Sequence, residues 1–147
     1  MKKPFITFLA LCMLFLALPA TENHVEASSQ GAEEVDEKVV EVYYFHRNRR
    51  CGPCRRIENF TKKTMETFFQ EEMETGTVVF HIMNVQQDEN QEVAKKFNAV
   101  STALHINTIN GQEEESTNLT RFAYRNVRNE EGFLTGLKDH VTSALND

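Results

Sequence analysis

The chain carries its apolar residues in two different periods. Lys38 to His46 (KVVEVYYFH) is dense in Val and Tyr and predicts a buried strand. From Cys51, the residues Ile57, Phe60, Thr64, Phe68 and Met73 recur about once per helical turn, predicting one helix with a single apolar face and Gly76 as its cap. Thr77 to Val85 (TVVFHIMNV) predicts a second buried strand, and Asp88 or Glu89 opens a short helix through Val93, Ala94 and Phe97. Ser101 to Ile109 predicts a third strand, with Asn110-Gly111 as a hairpin turn and Gln112 to Leu119 returning as an edge strand. On that edge Glu113, Glu114 and Glu115 oppose pairing with another chain. Asn129 to Leu145 closes the chain as a helix with Phe133, Leu134, Leu137, Val141 and Leu145 on one face. Gly132 and Gly136 weaken it by roughly 1 kcal/mol each relative to Ala, so packing must hold it. The order β-α-β-α-β-β-α predicts an α/β fold: a central mixed four-stranded sheet, its first two strands parallel, with helices on both faces.

The amino-terminal residues follow another pattern. Lys2 and Lys3 precede an apolar run from Phe5 to Leu18. A membrane-spanning helix needs roughly 20 residues, so a basic start and a short apolar core followed by small residues predict a secretory signal peptide over residues 1–27. Cleavage is expected after Ala20 or Ala27; Val25 and Ala27 fit the small-residue rule better than Leu18 and Ala20. Retention as an uncleaved anchor is the alternative, and a lipoprotein reading through Cys12 is disfavoured by bulky Leu11. Residues 28–37 (SSQGAEEVDE) read as a flexible acidic lead-in, leaving 38–147 as the folded domain. The predicted location is exported, periplasmic or extracellular, where disulfides persist. The mature domain is not expected to span a membrane.

Composition narrows the classes. The 147 residues suit one domain, and 40% hydrophobic with 26% charged residues suits a globular one. A net charge of −6 argues against nucleic acid as a partner. Three cysteines are too few for a disulfide-built mini-protein, and Cys12 would leave with the signal peptide.

The chemistry is expected at Cys51-Gly52-Pro53-Cys54, between the first strand and the first helix. Two cysteines so spaced on a first helical turn can close a disulfide with little backbone movement. Pro53 lacks an N–H where the helix has no partner for one, and Gly52 lets a partner's backbone approach. The free N–H groups of a helix start favour a thiolate, and cysteines in such places have pKa values lowered to about 3.5–7.5. Cys51 is then the exposed nucleophile, and Cys54, one turn in, resolves the mixed disulfide. No second cysteine pair exists to complete a structural zinc site. A static disulfide and a metal site remain the competing readings.

The CGPC motif, within this order of strands and helices, resembles the thioredoxin superfamily over roughly Lys38 to Leu145. Tyr44-Phe45-His46, Arg50-Cys51, Cys54, Ile57-Glu58, Asn84-Val85, Glu89-Asn90 and Asn118-Leu119 are more narrowly similar to small exported thioredoxin-like proteins described as a nitroreductase subunit family for nitrophenyl compounds. The resemblance implies a thioredoxin-like fold and a thiol–disulfide oxidoreductase, with Cys51 attacking and Cys54 resolving. The chain departs from the superfamily pattern in three ways. Arg50 stands where thioredoxins carry tryptophan, and the chain has no tryptophan. Tyr44 and Phe45 occupy the neighbourhood of the usual buried acid. Val100-Ser101-Thr102-Ala103 holds no proline where the superfamily places a cis-proline. A cis bond without proline costs about 2.5–4 kcal/mol, so a trans peptide is expected there.

Arginine is the expected substitute for these devices. Arg47, Arg49, Arg50, Arg55 and Arg56 crowd the motif against one nearby acid, Glu58. Arg50, Arg55 and His46 are expected to tune the thiolate, whereas Arg47, Arg49, Arg56, Ser101 and Thr102 are expected to dock a partner. A midpoint potential between about −270 and −120 mV follows. His46 either exchanges protons with the thiols, joins a soft-metal site, or simply bonds backbone at the strand end. His81 and His105 are expected to be packed and hydrogen-bonded, and His140 solvated. Met65, Met73 and Met83, with Phe60, Phe68, Phe69, Phe97 and Phe133, are expected in the core. The sequence thus predicts an exported monomeric thiol–disulfide oxidoreductase with no cofactor and no metal. Its partner would be a protein disulfide or dithiol, with a membrane-linked electron donor or acceptor to recharge it. The alternatives are an electron-passing subunit of a larger reductase and a non-catalytic thioredoxin-like binding module.

Overall fold

The computed structural model describes residues 38–147; the signal peptide and the acidic lead-in expected over residues 1–37 lie outside them. The elements in chain order are β1 (Val39–His46), α1 (Gly52–Phe68), α2 (Gln70–Thr75), β2 (Val78–Asn84), a 3-10 turn (Asp88–Asn90) leading into α3 (Gln91–Lys96), β3 (Ala103–Asn110), β4 (Glu113–Asn118), α4 (Thr120–Asn126) and α5 (Glu130–Asn146). The sheet order is β2-β1-β3-β4. β1 runs parallel to β2 with Val40 opposite Val78, and antiparallel to β3 with Phe45 opposite Ala103; β3 and β4 form the hairpin. This is the predicted mixed α/β sheet.

Strand alternation separates two cores. Val40, Val42 and Tyr44 of β1 are fully buried in the larger one, with Ile57 and Met65 of α1, Ala123 of α4, and Phe133, Leu137 and Val141 of α5. Tyr43 and Phe45 point to the opposite face, where Ala94 and Phe97 at α3 cover them. Helices therefore lie on both faces. Among the described residues every peptide bond is trans, the 100–103 stretch included. No helix among them is long and apolar enough to cross a membrane.

Four expectations need correction. The predicted single helix to Gly76 breaks at Phe69, whose φ of −133° lets its ring turn into the core while its N–H still reaches the Met65 carbonyl. Phe68 is left 38% exposed under the Lys138 ammonium rather than in the core. Gly76 does cap the second piece at φ 85°. β2 is an edge strand rather than a buried one, since its continuous apolar run gains a neighbour on one side alone. The hairpin turn is Gly111-Gln112, with Gly111 at φ 65°, one residue later than predicted; Asn110 still pairs with Glu113. Finally, α4 was not anticipated, although Leu119, Ala123 and Val127 bury at four-residue spacing.

Candidate redox site

Cys51 is the N-cap of α1. Its extended backbone (φ −74°, ψ 165°) turns the chain from sheet to helix, and its Sγ accepts the Cys54 N–H at 3.0 Å. A sulfur thus does what a Ser or Asp oxygen does at other helix starts. Cys51 and Cys54 form a disulfide with a Cα–Cα distance of 5.0 Å. Cys51 is exposed and Cys54 is buried. A Cβ on Gly52 would meet nothing within 4 Å, so the face in front of the motif is open.

Cys54 is held from behind by β1. The Tyr44 hydroxyl, fully buried, donates to the Cys54 carbonyl at 2.8 Å. Burial, then the Glu58 charge, pushes the Tyr44 pKa up to about 12, so this phenol stays a donor at every physiological pH. The Thr102 hydroxyl lies beside the same phenol and acts in the opposite direction. Thr102 is therefore brought to the back of the site, and Ser101 beside it is exposed.

A buried carboxylate is present, contributed by the helix rather than the strand. Glu58 lies one turn beyond Cys54 and is 8% exposed. It pairs with Arg50 and, at 3.5 Å, with Lys62. The Arg50 guanidinium also donates to His46 Nε2 at 2.7 Å, and His46 Nδ1 meets the Arg47 carbonyl at 3.1 Å. A carbonyl can only accept, so Nδ1 carries the ring proton and Nε2 offers its lone pair. Arg50 and His46 thus form a network on Glu58, and neither shows a hydrogen bond to a sulfur.

The remaining arginines stay at the surface. Arg55 donates to the Arg50 carbonyl at 3.4 Å. Among the described residues, Arg47, Arg49, Arg55 and Arg56 enter no ion pair. Arg47 and Arg49 edge a hollow of about 410 Å3 with Asn48 and Gln86. Arg47 also edges a groove of about 520 Å3 floored by Val85, Ala94 and Ala99, with Lys95 on its rim. No three His, Cys, Asp or Glu side chains among the described residues converge to hold a metal ion. His81 bonds Glu41 as a packed histidine should, but His105 is buried with both ring nitrogens unpartnered, contrary to expectation. His140 is exposed, and Met65, Met73 and Met83 pack as expected.

One side chain at the site was not anticipated. The Tyr124 hydroxyl, on α4, lies 3.8 Å from Cys54 Sγ. The spacing of Leu119, Ala123 and Val127 was the signal that would have found this helix.

No family model matches the chain, and no curated protein matches it. Among solved structures it is similar to a thioredoxin of Fasciola hepatica, at 22% identity over 60% of this chain and 76% of that one, with a TM-score of 0.37. It is similar also to thioredoxin O2 of Arabidopsis thaliana in its oxidized state, at 15% identity over 63% and 76%, with a TM-score of 0.37. A third is described as a malarial protein, at 16% identity over 60% and 94%, with a TM-score of 0.36. By its own strand order and register, the chain has a thioredoxin-like α/β fold with a Cys51–Cys54 disulfide where β1 gives way to α1.

Proposed function

We propose that the chain is an exported thiol–disulfide oxidoreductase that exchanges electrons with a protein partner through Cys51 and Cys54. The observation that carries this reading is the unequal placement of two bonded sulfurs: the leading one exposed at a helix start, the second buried one turn in. In the reducing direction the Cys51 thiolate attacks a partner disulfide, forming a mixed disulfide and expelling one partner thiolate. The Cys54 thiolate then attacks Cys51 Sγ, which closes the Cys51–Cys54 bond and expels the second partner thiolate. Two electrons pass to the partner, and the reverse sequence oxidises a partner dithiol. The surface arginines suit an acidic partner. Export rests on the basic, apolar and small-residue pattern of residues 1–27.

Titration of the full chain against thiol–disulfide buffers tests the reading. A reversible two-electron couple between about −270 and −120 mV is expected. A disulfide that resists reduction throughout that range overturns it in favour of a structural staple. Cys54→Ser should then trap the partner as a stable mixed disulfide on Cys51.

Tyr44, His46, Arg50, Cys54 and Glu58 are among the residues in which the sequence resembles the nitrophenyl-compound nitroreductase subunits; Tyr44 bonds the Cys54 carbonyl, and Arg50 bonds His46 and Glu58. That coincidence supports a second reading, in which the protein passes electrons within a larger reductase. Co-purification of the native protein with a redox partner supports it, and a fully active lone monomer counts against it.

A further inference from the structure

Resting on that oxidoreductase reading, we propose that Tyr124 is a further catalytic residue, whose hydroxyl donates a hydrogen bond to the Cys54 thiolate during the resolving step. Cys54 is poorly placed to ionise unaided. It is 8% exposed, so water solvates its charge weakly. The first-turn N–H of Cys54 is directed at Cys51 Sγ at 3.0 Å and serves the leading sulfur. Among the described residues no cation bonds Cys54 Sγ, and Arg55, next in the chain, directs its guanidinium to the Arg50 carbonyl. Tyr44 of β1 directs its proton to the Cys54 carbonyl, not to the sulfur. Glu58, one turn along α1, is an anion, and Arg50 is paired to it. Among the described residues, Tyr124 Oη is the donor that meets Cys54 Sγ, at 3.8 Å.

Its position is built rather than incidental. α4 is anchored through Leu119, Ala123 and Val127 in the core. It is also tied to β3: the Leu119 N–H donates to the Leu104 carbonyl at 2.8 Å, and the Leu104 N–H donates to Thr120 Oγ1 at 3.1 Å. Tyr124 follows Ala123 and leaves this anchored face, with the residue 42% exposed. One end of the side chain therefore meets the buried sulfur while the ring borders solvent. In the disulfide, the sulfur is a weak acceptor and the contact is long. Once the bond opens and Cys54 ionises, the same contact becomes a charge-assisted hydrogen bond, roughly twice as strong as a neutral one. The Cys54 proton leaves to solvent, the Tyr124 proton stays on its oxygen, and the Cys54 electron pair forms the bond to Cys51 Sγ as the bond from Cys51 to the partner sulfur breaks and the partner thiolate departs with that electron pair.

Dithiobis(nitrobenzoate) separates the two half-reactions. In the full chain carrying Cys12→Ser, Cys51 and Cys54 are the two thiols, each releasing one thionitrobenzoate in turn. The first release reports attack by Cys51, and the second reports resolution by Cys54. Tyr124→Phe keeps the ring and removes the hydroxyl. It should leave the first phase within about twofold and slow the second about tenfold at neutral pH, with the pH midpoint of the second phase displaced upward. Identical second phases and identical pH midpoints in the two proteins overturn the proposal. So does an equal slowing of both phases, which marks a general disturbance of the site. A parent chain with no second phase at all instead fails the oxidoreductase reading on which this rests.

Discussion

His105 and Glu58 are both buried polar side chains, and they are satisfied very differently. Glu58 has Arg50 and Lys62, so its charge is shared before it is desolvated. His105, 5% exposed, has neither ring nitrogen hydrogen-bonded and sits against the rings of Phe45 and Phe97 at 5.9 and 5.3 Å between centroids. Burial lowers its pKa below the ordinary 6.5. The folded chain therefore binds a proton at this site less readily than the unfolded chain does. The corresponding stability is fully present above about pH 6.5 and is lost as acid carries the pH down through the depressed folded value. His105→Phe removes the titrating group and keeps an aromatic ring. Its thermal midpoint should fall less than that of the parent between pH 8 and pH 5. Parallel midpoint-against-pH curves would show that the acid sensitivity comes from elsewhere.

Helix propensity alone misjudges α5. Gly136 looks like a weak point that alanine would repair by roughly 1 kcal/mol. In the fold, a Cβ there would come within 2.6 Å of the Phe122 ring. That ring is wedged between α4 and α5, with Phe133 at 5.5 Å and His140 at 5.2 Å between centroids. Overpacking of this kind costs about 1–3 kcal/mol, so Gly136→Ala should lower stability in a urea titration by about 1 kcal/mol net. A gain in stability would mean that Phe122 moves aside freely. The same distinction between local and tertiary causes decides what the sequence revealed. β1, β3, α1 and α5 were legible because their periods are local and long. The break at Phe69 was not, because it arises from a neighbouring core that accepts one of two adjacent phenylalanines. The edge position of β2 was not legible either, since strand order is a property of the whole sheet. At the site, the cysteine pair and the arginines stand together in sequence and were visible. Tyr124 is 70 residues from Cys54 and meets it through α4, a helix of two turns whose period is too short to stand out in sequence. Glu58 was visible as an acid, but its burial under Arg50 depends on how α1 lies against β1.

At the scale of the molecule, the sheet register sets the acidic hairpin far from the disulfide. β1 runs toward the disulfide from Val39, which lies opposite Ile109; Phe45, near the disulfide end, lies opposite Ala103. The β3–β4 turn and Glu113 to Glu115 therefore lie at the end remote from Cys51, roughly 25 Å away along an eight-residue strand. α2, with Glu71, Glu72 and Glu74, enters β2 at that same remote end, because Val78 pairs with Val40. Around the disulfide, Arg47, Arg49, Arg55 and Arg56 remain outside any ion pair among the described residues. A chain of net charge −6 thus gathers these four arginines around Cys51, with Asp88 and Glu89 just beyond the end of β2 that pairs with His46. Long-range steering of this kind raises encounter rates with anions and is screened over about 8–10 Å at physiological salt. The fully reduced protein should react faster with glutathione disulfide, which is anionic, than with neutral hydroxyethyl disulfide at low salt, and the ratio should fall several-fold as salt rises, to a plateau set by the two leaving thiols. Arg47→Ser with Arg49→Ser should lower the rate for the anionic disulfide and leave the neutral one unchanged, since neither arginine touches a sulfur. A salt-independent ratio, or equal loss with both disulfides, would show that the arginines hold the loop and do not guide a partner.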